Sequence, residues 1–341
     1  MVDTERDRYD ALAAALGARA TRHAPLGPLT TYGVGGPAAV LVEIEGPDDL
    51  PAVRAVLAER AGGDVPVCVV GRGSNLLVAD AGFDGVAIHL GRGFNWAQLP
   101  APAHAAPEQL PAKDSAGSPA YVVRTGASTP LPVVARQAAE GGWAGLTWAV
   151  GVPGSVGGAV RMNAGGHGAD MAGCLLRYTW VDLLGEAGGT DDVARLAYGY
   201  RSSSVGAAEL VVEAELAVTP GDAVAEQAAL SSIVRWRRLH QPGGSNAGSV
   251  FTNPPGEPAG KLIEEAGLKG FRMGTAHVSE KHANFIQADK GGRADDVRAL
   301  MEHVRRLVLA HCGVSLSAEV RLLGFEEGKT GPMVGADGGG K

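Results

Sequence analysis

Apolar and polar positions alternate in blocks that change period several times along the chain. Residues 5–17 carry a short amphipathic pattern that stops at Gly17, which predicts a helix. Ala38 to Ile44 reads as a strand, and Asp48 or Asp49 can cap a helix running to about Ala61. Val67–Val70 and Val86–Leu90 are short apolar runs of strand type, so the first block alternates strand and helix as a small α/β unit. Tyr121–Arg124 predicts another strand, Leu131–Glu140 a helix, and 177–184 and 209–218 two further strands. After Thr219-Pro220-Gly221-Asp222 the composition shifts, and helices are expected over 223–239, 259–266 and 294–311, with strands near 275–279, 284–288 and 317–324. The last block is therefore an α+β unit of its own.

At 341 residues the chain is too long for one ordinary core. Four regions are expected: 1–90, 91–219, 220–325 and a Gly-rich tail, 326–341, expected to be disordered. Prolines 100, 102, 107, 111 and 119 crowd the stretch 98–119, which reads as a mobile surface insertion. A net charge of −7 supplies no basic stripe, so no nucleic-acid partner is expected. Met1–Asp10 is charged and lacks the apolar core of a signal peptide, and no apolar run reaches the roughly 18 residues of a membrane span. A cytoplasmic protein without a membrane partner or an obligate protein partner is expected. Cys68, Cys174 and Cys312 are far apart and odd in number, which indicates three reduced thiols and no metal site.

Glycine-rich turns carry the candidate chemistry. Gly33-Val34-Gly35-Gly36-Pro37-Ala38 satisfies the spacing of a dinucleotide turn, but no apolar strand precedes it and a strand, not a helix, follows. A Rossmann site is rejected on that ground. Gly71-Arg72-Gly73-Ser74-Asn75 lies between two apolar runs, and its backbone N–H groups could cradle a diphosphate or merely turn the chain. The loops at Gly151–Gly158 and Asn163–Gly166 could close over the same extended cofactor. Further along, Arg201, Ser249 and Glu319 each hold a polar group suited to chemistry; singly, each also fits a surface ion pair, a turn or a solvated strand position.

Taken together, these segments resemble the UDP-N-acetylenolpyruvoylglucosamine reductases (MurB) of peptidoglycan synthesis. The matching stretches are 28–36 (PLTTYGVGG), 71–78 (GRGSNLLV), 151–165 (GVPGSVGGAVRMNAG), 200–203 (YRSS), 246–253 (NAGSVFTN), 259–270 (AGKLIEEAGLKG), 278–286 (VSEKHANFI) and 318–324 (AEVRLLG). They run from about Pro25 to Gly324. The short interval from Arg201 to Ser249 resembles the second type of the family, which lacks an inserted loop bearing a tyrosine. The fold implied is α+β: a two-part FAD-binding module of the vanillyl-alcohol-oxidase (PCMH) type, with the C-terminal α+β unit binding substrate.

The resemblance implies FAD as cofactor, NADPH as hydride donor and an enolpyruvyl ether of a UDP-sugar as substrate. It places Arg201, Ser249 and Glu319 at the catalytic positions. Reduction of an electron-rich enol ether builds negative charge beside its carboxylate. A guanidinium and a protonated carboxyl can offset that charge, and a hydroxyl can protonate the resulting carbon. Gly71, Arg72, Gly73, Ser74, Asn75, Gly157, Gly158 and Asn163 fall at cofactor positions, and Asn253, Lys269, His282 and His240 near the UDP-sugar. His240 stands where the family often has lysine, Thr147 where glutamate is usual, and Gly166-His167 where Ala-Tyr is usual. These departures suit a divergent member, or a paralogue reducing another enolpyruvyl nucleotide. An FAD-dependent alcohol or sugar oxidase of the same fold would not need Arg201, Ser249 and Glu319 together.

Overall fold

The computed structural model describes residues 2–60, 65–102, 112–113 and 119–325. The expected insertion at 98–119 falls largely outside the described residues, and the tail 326–341 wholly so.

Two sheets form the larger part. The first has four strands in the order Ala20–Pro25, Pro37–Ile44, Phe83–Leu90, Val67–Val70. Its first pair is antiparallel, and the others are parallel. The parallel pairing requires a crossover, which the helix Leu50–Arg60 supplies by burying Leu50, Val53 and Leu57. Neither Asp48 nor Asp49 caps this helix as expected: both lie in a 3-10 turn, Pro47–Asp49, that leads into it from Gly46, and the Asp49 carboxylate reaches back to accept the backbone N–H groups of Glu45 and Gly46. The second sheet is antiparallel and is built on Glu209–Pro220, flanked by Leu175–Asp182 and Pro119–Gly126. Both sheets, together with the helix Leu131–Glu140, share one apolar core that includes Val42, Ile88, Val123, Trp143 and Leu216.

The C-terminal unit has its own core, beneath the helix Ala294–Cys312 and the three-stranded sheet Arg272–Met273, Ala276–Val278, Ile286–Ala288. Tyr32, Val34 and Leu77 from the first block complete that core. The two units are stitched a second time, because Arg321–Leu323 pairs in parallel with Leu76–Val78. The final strand is thus three residues long rather than spanning 317–324, and Glu319 lies before it, not on it. The turn Gly33–Gly36 leads into the strand Pro37–Ile44, so it opens no helix. The cysteines are free, with Cys174 buried and Cys68 and Cys312 half-buried. Among the described residues, no helix is long and apolar enough to cross a membrane.

Candidate active site

Arg201 is held by three hydrogen bonds. Its Nε donates to Glu319 Oε1 at 3.2 Å, Nη1 to the Asn163 carbonyl at 3.2 Å, and Nη2 to the Gly165 carbonyl at 2.7 Å. This fixes the plane of the guanidinium and leaves two of its five N–H groups for a ligand. The backbone around it is strained: Asn163, His167, Ala197 and Arg201 all adopt positive φ, which non-glycine residues rarely do. Asn163 tolerates that geometry because its side chain is fully employed. It accepts from Ala172 N–H and donates to Asp170 and to the Gly199 carbonyl.

Glu319 is the other half of the pair. Burial pushes its carboxyl above the ordinary glutamate value, and the Arg201 charge opposes that shift only in part. Its backbone N–H donates to the Val250 carbonyl at 2.8 Å, which sets it beside the segment that carries Ser249. That segment is pinned from beneath by Asn284. Phe251 N–H donates to Asn284 Oδ1 at 3.0 Å, and Asn284 Nδ2 donates to the Phe251 carbonyl at 2.8 Å. Arg201, Glu319 and the residue after Ser249 therefore form one hydrogen-bonded chain, although they come from three distant parts of the sequence.

Of two clefts, the first reaches this chain at Ser249, and the second is lined by Gly71 and Arg72, in the loop that leads to Asn75. The first, of about 560 Å³, is lined by Ser249, Asn253, Lys261, Lys281 and His282 among others. Burial holds the His282 imidazole below its ordinary value. His282 Nδ1 accepts the Asn284 N–H, so the neutral ring carries its proton on Nε2 and can donate it to a ligand oxygen. The other cleft, of about 270 Å³, lies between the two sheets and is lined by Val69–Arg72, Gly91, Ser155, Gly157, Gly158 and Arg161 among others. Its wall is tight where the halves meet. A Cβ at Gly71 would come within 2.5 Å of the buried Ser155 hydroxyl, and Arg72 Nε donates to the Pro153 carbonyl.

A family model described as UDP-N-acetylenolpyruvoylglucosamine reductase, C-terminal domain, matches residues 240–323, and one described as FAD binding domain matches residues 38–187. The UDP-N-acetylenolpyruvoylglucosamine reductase of Heliobacterium modesticaldum is 40% identical over 321 residues, covering 93% of this chain and 92% of that protein. This chain belongs to the UDP-N-acetylenolpyruvoylglucosamine reductase family. The protein of that name from Synechococcus sp. strain WH7803 is 40% identical over 311 residues, covering 89% of this chain and 92% of that one. The crystal structure of the MurB reductase from Thermus caldophilus superposes with a TM-score of 0.69 at 32% identity, covering 89% of this chain and 98% of that one.

The residues of the smaller cleft fit the FAD of such a reductase. Gly71, Gly91, Gly157 and Gly158 present backbone to the cleft, Val69, Val70, Val205 and Val211 give apolar walls for a flat ring, and Arg72, Arg92 and Arg161 supply positive charge for a diphosphate. Gly157 and Gly158 do not lie in a loop as expected. They sit in the first turn of the helix Val156–Met162, because Ser155 caps it by accepting the Gly158 N–H.

Not every residue expected at the reductase's cofactor site lines this cleft. Gly73, at φ +56°, packs against Leu29 and Thr30, which keeps it out. Ser74 lies near Gly154, and neither is among the residues that line the cleft. The Asn75 amide donates to the Glu319 carbonyl, and the Asn163 side chain is committed to Asp170, Ala172 and Gly199 while its backbone carbonyl holds Arg201.

Among the expected substrate residues, Asn253 and His282 line the larger cleft with Ser249, and Asn253 Oδ1 also accepts the Ala259 N–H. Lys269 pairs with Glu264, itself a lining residue, and would have to exchange that partner to reach a diphosphate. His240 stands off the cleft lining: its ring stacks on Trp236 with centroids 4.6 Å apart, and Nδ1 bonds the Trp236 carbonyl. Sequence reasoning missed Asn284, Ser155 and Arg161. The signal for Asn284 was a lone amide within the apolar run Ala283–Ile286, where a polar side chain must find buried partners.

Proposed function

We propose that this chain reduces UDP-N-acetylglucosamine enolpyruvate to UDP-N-acetylmuramate, with bound FAD and NADPH as hydride donor, in the synthesis of peptidoglycan precursors in the cytoplasm. The Arg201–Glu319 pair, joined through Val250 to the segment whose Ser249 lines the larger cleft, carries this reading. When bound, FAD supplies the redox chemistry, taking hydride from NADPH and passing it to the enol ether.

The protein's part is alignment and charge. Arg201 offers two free N–H groups to the substrate carboxylate, where negative charge grows. Glu319, with its pKa raised by burial, can hold a proton and donate a hydrogen bond to the same carboxylate. Ser249 protonates the adjacent carbon; its hydroxyl is a weak acid, but the carbanion-like carbon is a far stronger base. His282 donates Nε2–H to the nucleotide diphosphate, and Asn253 lines the same cleft. Residues 1–90 and 91–219 act as the two halves of the cofactor module, and 220–325 as the substrate unit. The family matches at 38–187 and 240–323 support the separation of the cofactor module from the substrate unit.

An anaerobic trace tests the reading. The purified protein is reduced with NADPH and then mixed with UDP-N-acetylglucosamine enolpyruvate. Fast return of the oxidised flavin spectrum with formation of UDP-N-acetylmuramate is expected. A flavin that NADPH reduces and this substrate leaves reduced would shift the assignment to another enolpyruvyl nucleotide.

A further inference from the structure

We propose that Asn75 is a positioning residue that holds the Glu319 backbone and so ties the loop bordering the cofactor cleft to the reacting carboxyl. The proposal rests on the catalytic reading of Glu319 given above. Asn75 Nδ2 donates to the Glu319 carbonyl at 3.1 Å across 244 residues of chain, and the Asn75 carbonyl accepts the Arg321 N–H at 3.0 Å.

The need for this clasp follows from the strand register. Arg321 pairs with Leu76, Leu322 with Leu77 and Leu323 with Val78, so the parallel ladder begins only at residue 321. Before it, Ala318 makes an isolated bridge to Phe251. The Glu319 carbonyl falls between these two pairings and has no ladder partner. A backbone carbonyl in a half-buried position needs a donor, and the Asn75 amide is that donor. With its N–H on Val250 and its carbonyl on Asn75, the Glu319 backbone is held at both ends. Its carboxylate is thereby kept within 3.2 Å of Arg201 Nε. Gly71 and Arg72, in the same loop as Asn75, line the cofactor cleft, so one loop serves both parts of the site.

Asn75→Ala removes the clasp but leaves the Asn75 carbonyl and its bond from Arg321 intact, so the strand pairing survives. The test uses the FAD-loaded protein and compares Asn75→Ala, Glu319→Gln and the double variant. Three readouts are taken: FAD per chain from the visible spectrum, the rate of flavin reduction by NADPH, and the rate of reoxidation by UDP-N-acetylglucosamine enolpyruvate. Asn75→Ala is expected to keep FAD and its reduction, and to slow reoxidation about 10- to 100-fold, the scale of a small misplacement of a reacting group. In the Glu319→Gln background the same substitution is expected to add little, because a residue acting through Glu319 is not additive with it.

Loss of FAD, or equal slowing of both half-reactions, makes Asn75 a cofactor ligand and overturns the proposal. Full additivity overturns it too. Glu319→Gln with unchanged reoxidation sinks the catalytic reading of Glu319 itself, which is a separate result. If the alanine variant aggregates, Asn75→Ser, too short to reach the Glu319 carbonyl, is read by the same criteria.

Discussion

Asn284→Ala removes the support beneath the proposed proton donor. Asn284 and Phe251 are both nearly fully buried, at 3% and 1% exposure, and they exchange two hydrogen bonds as paired strand residues do. Alanine at 284 leaves the Phe251 N–H and carbonyl without partners. An unpaired buried polar group costs about 1–3 kcal/mol, so two cost about 2–6 kcal/mol if the site stays dry. Water entering the vacated space lowers the figure, and a loss of about 2–4 kcal/mol is expected. The Val250 N–H keeps its bond to the Asn284 backbone carbonyl, so the segment loosens without detaching.

Urea unfolding measures the stability change, and hydrogen exchange of peptides spanning 249–251 measures the local one. Exchange there is expected to rise more than elsewhere in the C-terminal unit. Because Ser249 is the neighbouring residue, reoxidation of the flavin by substrate should slow while NADPH reduces it at the wild-type rate. A stability loss under about 0.5 kcal/mol, the range of ordinary surface substitutions, would refute the reasoning. Unchanged exchange at 249–251 would do the same.

Ser249→Ala is expected to keep FAD and its reduction by NADPH, and to slow the second half-reaction by about 10²–10⁴-fold, the usual contribution of a general acid; stopped-flow traces showing equal loss in both half-reactions would remove Ser249 from that role. Glu319→Gln tests the raised carboxyl pKa. A group whose folded pKa lies above its unfolded value stabilises most below the unfolded value and loses that contribution as pH rises through the folded one. Thermal melts should therefore show the stability of wild type relative to Glu319→Gln falling from about pH 4 toward neutrality, and a difference that grows with pH contradicts the shift. Gly73→Ala places a Cβ against the Leu29 carbonyl and 2.5 Å from Thr30 Cα at φ +56°, so both stability and FAD content should fall. Gly17→Ala, at φ +59° with nothing within 4 Å, is the comparison: it should cost only the left-handed backbone penalty of about 1–2 kcal/mol and leave FAD content unchanged.

The chain's own pattern determined the elements and the chemistry they bear. The period of the apolar positions places Leu131–Glu140 and Ala294–Cys312 within a residue of their ends, because burial of one face of a helix is written locally. The absence of an apolar strand before Gly33 excluded a Rossmann turn for an equally local reason. The blocks around Arg201, Ser249 and Glu319 were legible as blocks. Which partners those residues take was not, since each partner lies far away in sequence.

Only the tertiary structure decided that Glu319 stands before the last strand and meets Arg201, that Asn163 holds Arg201, and that Asn75 is committed to Glu319. It alone set His240 on Trp236 and off the cleft lining. An amide or an imidazole in a loop can bond a cofactor, a substrate or another loop, and its residue type is the same in each case. What distinguishes them is which carbonyl or ring is near, and that is fixed by the pairing of Leu76–Val78 with Arg321–Leu323 and by the burial of Tyr32, Val34 and Leu77 in the C-terminal core.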